Sequence, residues 1–382
     1  MPAPLESFRD EVRSWLDEHL VGDFARLRGT GGPGREEEHF EERLAWNRHL
    51  AEHGWTCVGW PEEYGGRGLS LEQQVVFHEE YARASAPARI NHLGEELLGP
   101  TLMAFGTDEQ KARFLPRIRG VEELWCQGYS EPGAGSDLAA VSTRARLDGD
   151  EWVIDGQKIW TSLARQAQWC FVLCRTEPGT TRQAGLSFLL VPTDQPGVEI
   201  RPIEQLTGGS EFNEVFFSGA RTGADLVVGE VGDGWRVATG LLGFERGVST
   251  LGQQVGFARE LDDLIELARG NGAYDDPVLR DRLATAKVEL GVMRANAVRT
   301  LADGGSPSIA KLVWAGWHQR LGELAMAVLG ADGLTAGGDA GRWQRLFLFS
   351  RADTIYGGSD EIQRNILAER VLGLPREPKV TP

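Results

Sequence analysis

The eleven residues Gln127-Gly128-Tyr129-Ser130-Glu131-Pro132-Gly133-Ala134-Gly135-Ser136-Asp137 separate two kinds of pattern. Before them, from residue 5 to about 120, apolar positions such as Phe8, Val12, Trp15 and Leu16 fall three and four apart, the spacing of amphipathic helices. After them, Asp148-Gly149 and Asp155-Gly156 are hairpin-type dipeptides, and β-branched and aromatic runs follow at Trp169 to Leu173, Leu186 to Val191, Val198 to Ile203 and Glu214 to Phe217. The stretch has too few glycines in the right places for a dinucleotide-binding βαβ turn, so a Rossmann fold is excluded. Beyond Gly234 helical spacing returns, through Leu241 to Leu251, Phe257 to Ala268, Val278 to Leu301, Ile309 to Leu329 and Asp360 to Leu372, with a loop expected from Gly333 to Gly341. The reading is an α+β multidomain chain: an N-terminal helical domain over 1–120, a central antiparallel β domain over 121–230, and a C-terminal four-helix-bundle domain over 231–382.

Composition narrows the function. The chain has 382 residues, 40 Lys and Arg against 56 Asp and Glu, and a net charge of −16, which repels phosphate backbones and anionic membranes. Nucleic acid is therefore not an expected partner. The start carries charges every few residues and no later run is long and apolar enough for a membrane span. Four cysteines, Cys57, Cys126, Cys170 and Cys174, are too few to staple such a chain, and a reducing cytoplasm is expected.

Four segments carry candidate chemistry. In 127–137 small residues let backbone N–H groups approach an anion, with Ser130 and Ser136 as hydroxyl donors; a plain surface turn has the same composition. Trp160-Thr161-Ser162 sets an indole beside two hydroxyls, suited to a flat aromatic cofactor or to a strand end in the core. In Phe244-Glu245-Arg246-Gly247 a carboxylate lies at the edge of an apolar helix, where desolvation raises its basicity, unless it is simply solvated or ion-paired. In Tyr356-Gly357-Gly358-Ser359-Asp360-Glu361 two glycines precede a helix that Ser359 or Asp360 caps, and their N–H groups are placed to hold a developing oxyanion. His49-Leu50-Ala51-Glu52-His53 has the spacing of an inverted zinc-protease motif, but the sequence offers no third ligand or loop context, and no metal is expected.

In this order and spacing, the four segments resemble the acyl-CoA dehydrogenase family, flavoenzymes that desaturate acyl thioesters. Trp60 to Gly66, Phe212 to Val215 and Val328 to Gly333 extend the likeness over nearly the whole chain. The resemblance implies FAD as cofactor, with Gln127, Tyr129 and Ser130 lining the flavin ring and Ser136 near the pyrophosphate and the substrate's pantetheine arm. It implies that Trp160, Thr161 and Ser162 flank the ring, that Ser359 and Glu361 contact the cofactor, and that Gly330 meets the adenosine, often across a subunit boundary. Flavin and thioester are then expected between the sheet and the C-terminal helices.

Two departures matter. Many members carry the catalytic glutamate directly after the Tyr of the last motif, where this chain has Gly357; a minority place it before an Arg on the earlier helix, here Glu245 before Arg246. Glu245 is thus the expected base, with Arg246, Gly357 and Gly358 toward the substrate, giving α-proton abstraction and hydride transfer to flavin N5, and a trans-2-enoyl-CoA product. The segment Arg269 to Pro277 lacks the usual Phe-Gly and Gln through which one subunit holds its neighbour's FAD, leaving Arg269 for the anion contact. An electron-transferring flavoprotein is the expected acceptor and a homotetramer or dimer of dimers the expected assembly. A non-catalytic subunit of a heterotetramer, or a flavin monooxygenase on the same scaffold, are the competing readings.

Overall fold

The computed structural model describes residues 3–244, 249–303, 305–335, 337–338 and 340–376, in two compact units, residues 1–247 and 248–382. In the first unit helices α1 (Ala3–His19), α2 (Phe40–Glu52) and α3 (Leu71–Arg83) enclose an apolar cluster that includes Leu16, Trp46, Leu50 and Phe77. The Gly29 to Gly34 loop wraps the wholly buried Arg43, which donates to Glu36 O at 2.9 Å and Ala88 O at 3.1 Å. A Cβ on Gly31 would lie 2.0 Å from that guanidinium, so this connector needs its glycine. Helices α4 (Gly99–Phe105) and α5 (Asp108–Arg119) follow, the latter opened by a capping box in which Thr107 accepts from Gln110 N. Gln110 Nε2 also donates to Asp225 O and Val227 O, both at 2.7 Å, fastening α5 to the sheet region.

Among the described residues the eight strands are β1 (Trp125–Gly128), β2 (Arg144–Asp148), β3 (Glu151–Ser162), β4 (Trp169–Arg175), β5 (Leu186–Pro192), β6 (Val198–Pro202), β7 (Phe212–Gly223) and β8 (Val227–Val228). Their order is β6-β7-β3-β2-β4-β5-β8, with β1 beside β4. Most pairings are antiparallel; β1 runs parallel to β4, and β2 touches β4 in parallel at Arg144 and Arg175. The sheet is therefore mixed. Phe171, Leu173, Phe188 and Leu190 pack toward one cluster, and Cys170, Val172, Leu189 and Val191 toward another, which is why β4 and β5 read as continuous apolar runs. Helix α6 (Gly234–Phe244) buries Val237, Ala238 and Leu241 in the first of these clusters.

One of the two hairpin expectations needs correction. Asp148-Gly149 does turn the chain between β2 and β3, with Gly149 at φ +69°, but Asp155-Gly156 lies inside β3 at a bulge against β7. Asp155 Oδ1 accepts from Gly219 N at 2.8 Å there, and a Cβ on Gly156 would meet Thr143 Oγ1 at 2.4 Å, so close strand approach explains the dipeptide.

The second unit is a bundle of α7 (Ser249–Gly270), α8 (Pro277–Asp303), α9 (Pro307–Leu329) and α10 (Ala340–Phe349) around Leu261, Leu264, Leu283, Trp317, Leu324 and Trp343. Short α11 (Asp360–Ile366) follows. Helix α10 begins inside the expected Gly333 to Gly341 loop, because Trp343 and Leu346 supply an apolar face that packs on α9. Gly322 permits that crossing: a Cβ there would come 2.9 Å from Phe347 Cα. Among the described residues no helix is long and apolar enough to cross a membrane. All four cysteines are buried free thiols.

Candidate active site

The glycine-rich segment after β1 is not all loop. Trp125 to Gly128 pair in register with Trp169 to Val172, so Gln127 and Gly128 are strand residues. Past the strand the chain folds on itself in a tight turn, Glu131 and Ala134 exchanging two backbone hydrogen bonds of 3.0 Å across Pro132-Gly133. Ile159 N donates to Ser130 O at 2.9 Å, which brings the turn against Trp160, Thr161 and Ser162 at the end of β3.

A buried ion pair fixes this junction. Lys158, wholly buried, donates from Nζ to Glu131 Oε1 at 2.8 Å, Tyr129 O at 3.0 Å and Leu173 O at 2.6 Å. Glu131 also accepts from Ser142 N and Oγ at 2.7 and 2.8 Å and from Thr143 N at 2.9 Å. Burial alone would raise the Glu131 pKa, but the Lys158 ammonium and these donors outweigh it and bring the carboxyl down to about 2. Burial also pulls Lys158 below its ordinary value, against the attraction of Glu131. Neither residue was an expected site residue. Local sequence carried no such signal, since Lys158 stands among Asp155, Gln157 and Thr161 on β3, and its burial comes from the packing of the sheet.

Trp160 stands out on the same strand. Its φ is +61° and its side chain is 57% exposed, edge-on to Phe212 at 6.4 Å. A bulky residue held in the left-handed region with its indole in solvent costs roughly 1–3 kcal/mol and marks a surface kept for contact. Thr161 is buried beside it, its backbone carbonyl accepting from Asn213 Nδ2 at 3.0 Å and its hydroxyl without a partner among the described residues. Gln127 and Ser130 are half-buried, Tyr129 is buried, and Ser136 is exposed in the same loop. An open indole face, an unsatisfied hydroxyl and a strand edge of backbone groups suit a flat ring with polar edges, so these residues fit FAD.

In the second unit the Tyr356-Gly357-Gly358 turn is equally braced. Asp353 accepts from Tyr356 Oη at 2.5 Å and from His318 Nδ1 at 2.6 Å, Lys311 donates to the Asp353 carbonyl, and His318 Nε2 lies 3.2 Å from Glu260 Oε2. Burial would lower the His318 pKa, but its two carboxylate partners raise it to about 9, so it is an imidazolium at neutral pH. Gly357 and Gly358 have φ of +61° and +83°, and Gln363 Nε2 donates to Gly357 O at 2.9 Å. Ser359 caps α11 by accepting from Ile362 N, and Glu361 is exposed in the first turn of that helix.

Gly330 and Arg269 sit elsewhere in this unit. Gly330 ends α9 at φ +57°, about 28 Å along the helix from Lys311 at 1.5 Å per residue. Asn271 Nδ2 donates to Val328 O at 2.9 Å, which brings the end of α7, with exposed Arg269 stacked over Tyr274, to the Gly330 end. Glu245 and Arg246 lie outside the described residues. His19, on α1, lies beside His49 and His53, a neighbour that helix packing provides and sequence distance hides.

Comparison with known proteins agrees with this geometry. The sequence patterns of the acyl-CoA dehydrogenase N-terminal, middle and C-terminal domains match residues 3–122, 126–220 and 232–372. The chain is 66% identical over 381 residues to acyl-CoA dehydrogenase IpdE1 of Mycobacterium tuberculosis, covering 98% of this chain and 99% of that one. Among solved structures it resembles the Tcur3481-Tcur3483 steroid ACAD, with 33% identity, TM-score 0.85 and 99% of each chain covered. It also resembles the ChsE4-ChsE5 complex from Mycobacterium tuberculosis, with 31% identity, TM-score 0.83 and 99% of each chain covered.

Proposed function

The chain belongs to the acyl-CoA dehydrogenase family and is an FAD-dependent oxidoreductase acting on acyl-CoA, and from that premise we propose that Glu245 is its catalytic base. The observation that carries this reading is how the acids around the Tyr356 turn are committed. Position 357 has no side chain, Asp353 is held by His318 and Tyr356, and Asp360 and Glu361 stand 3.6 and 3.8 Å from Arg364. The usual seat of the base is empty of carboxylate, and Glu245 before Arg246 is the alternative position that the family uses.

Bound FAD would supply the acceptor for the hydride that leaves the β-carbon. Trp160, Thr161 and Ser162 with Gln127, Tyr129 and Ser130 orient the ring, and Ser136 serves the pyrophosphate and pantetheine side. Gly357 N–H, with Gly358 beside it, polarises the thioester carbonyl and acidifies the α-carbon, from which Glu245 takes the proton while Arg246 flanks the substrate. The trans-2-enoyl-CoA leaves, and an electron-transferring flavoprotein collects the electrons in the cytoplasm. Similarity to the steroid ACAD supports a ring-bearing acyl group rather than a simple straight chain. We place the domain boundaries near residues 120 and 230.

A homo-oligomer in which Gly330, Ser359, Glu361 and Arg269 reach cofactor, some of it bound mainly by a neighbour, is supported by the placement of Gly330 and Arg269 well away from the Gly357 turn. A second reading makes the chain one half of a heteromeric pair, favoured by its similarity to the ChsE4-ChsE5 complex. Light scattering together with the flavin-to-chain ratio separates these: one FAD per chain in a homotetramer supports the first, and a substoichiometric ratio completed by a second polypeptide supports the other.

The decisive test is Glu245→Gln mixed anaerobically with a panel of acyl-CoAs. Flavin should remain bound while its reduction slows by about 10²–10⁴-fold. An unchanged bleaching rate removes Glu245 from the mechanism.

A further inference from the structure

Outside the active site, three imidazoles converge in the N-terminal helices. His19 is the last residue of α1, while His49 and His53 are one turn apart at the end of α2. One ring nitrogen of each lies within 4.8 Å of one from each of the others, and His19 Nδ1 is 2.9 Å from His49 Nε2. The His53 ring is oriented by its own helix. Its Nδ1 lies 2.8 Å from His49 O, and since a carbonyl only accepts, Nδ1 carries the proton and Nε2 the lone pair. A backbone carbonyl holding one imidazole nitrogen so that the other is free to ligate is the arrangement found behind metal-binding histidines. Aromatic rings pack the cluster on one side: Trp15 stacks on His19 at 4.3 Å, and Phe24 lies 5.3 Å from His49. His19 and His49 are half-buried and His53 is exposed, so the cluster is walled on one side and open to solvent on the other.

The geometry points to a divalent transition-metal site formed by His19, His49 and His53, with the fourth position left to water. Three neutral imidazoles suit a borderline ion such as Zn²⁺ or Ni²⁺ rather than a hard cation, which prefers oxygen. The contact between His19 and His49 needs to open only from 2.9 Å to about 3.3 Å, the separation of two ligands around tetrahedral zinc. An ion here ties the C-terminal end of α1 to that of α2 and acts as a staple remote from the catalytic chemistry.

The test uses the full-length flavoprotein prepared without a polyhistidine tag, stripped with chelator and titrated with Zn²⁺ by calorimetry at neutral pH. The expected result is one equivalent bound per chain, a thermal midpoint raised by Zn²⁺ and not by Mg²⁺, and affinity weakened at least tenfold in His53→Ala. His39→Ala, which removes a histidine outside the cluster, should bind as the parent does. Because His53 is exposed, its variant should keep the parent's flavin content and far-UV spectrum; His53→Gln serves where it does not. Absence of stoichiometric Zn²⁺ uptake, or equal affinity in the His53 variant, overturns the site.

Discussion

Two glycine turns, Glu131 to Gly135 in the first unit and Tyr356 to Gly358 in the second, are held by the same device with different partners. Each hangs on a buried acid. Glu131 is paired with a lysine and Asp353 with a histidine. The Glu131 carboxylate stays ionised across the whole working range, since it titrates at about 2. The histidine pair is conditional, because His318 loses its proton near pH 9. The difference teaches that one turn is anchored permanently while the other is anchored only while an imidazolium persists.

The largest effect should come from breaking the permanent anchor. Lys158→Met leaves Glu131 and the Tyr129 and Leu173 carbonyls buried without their donor, a loss of about 3–5 kcal/mol, with weakened FAD retention because the turn and Trp160 lose their common brace. Urea unfolding followed by tryptophan fluorescence, with flavin absorbance in parallel, measures both. A midpoint equal to the parent's would mean that the pair does not secure the turn.

The conditional anchor predicts a pH dependence of opposite sign to the acid side. His318 has its folded pKa raised from 6.5 to about 9, so its contribution is complete below pH 6.5 and disappears as pH rises through 9, amounting to about 3 kcal/mol. Glu131, lowered from 4.5 to about 2, contributes fully above pH 4.5 and loses its share only as pH falls toward 2. Between pH 7 and 9, therefore, amide protection factors, corrected for the intrinsic rise of exchange with pH, should fall around Asp353 to Gly358 and stay constant around Glu131 to Ala134. Asp353→Asn should lower stability by about 2 kcal/mol at pH 7 and flatten that alkaline slope. A parallel fall in protection in both turns would erase the distinction between them.

The same contrast shows what sequence could and could not reveal. Helical spacing and strand composition located the layers, and Ser70 with Gln73 and Thr107 with Gln110 are capping boxes written in adjacent residues. Local signals failed where a distant segment decided the outcome. Gln127 and Gly128 look like loop because their strand character comes only from pairing with Phe171 and Val172. Asp155-Gly156 looks like a turn until Thr143 crowds it. Lys158 and Glu131, 27 residues apart, become one unit through sheet topology, as do His318 and Asp353 through helix packing. The missing acid at Gly357 was legible only through the family resemblance, which says where the base is usually carried.

The smallest predicted effect sharpens the comparison from a third acid, Glu211, which has neither a lysine nor a histidine. Burial pushes its pKa up to about 7, the backbone N–H groups of Gly34 and Glu36 opposing and the Glu36 and Glu37 carboxylates adding to the rise. Here the folded state favours the protonated acid. Its contribution is present below pH 4.5 and is lost as pH climbs toward 7, the direction shared with His318 but in an earlier window. Glu211→Gln keeps an oxygen for the two amides and removes the buried charge, so the variant should gain about 1–2 kcal/mol at pH 8 and match the parent near pH 4.5. Thermal midpoints at the two pH values measure this directly. A gain of the same size at both would assign the effect to packing, and a loss at pH 8 would mean that the carboxylate is held in the fold by its amide donors, much as Glu131 is by Ser142 and Thr143.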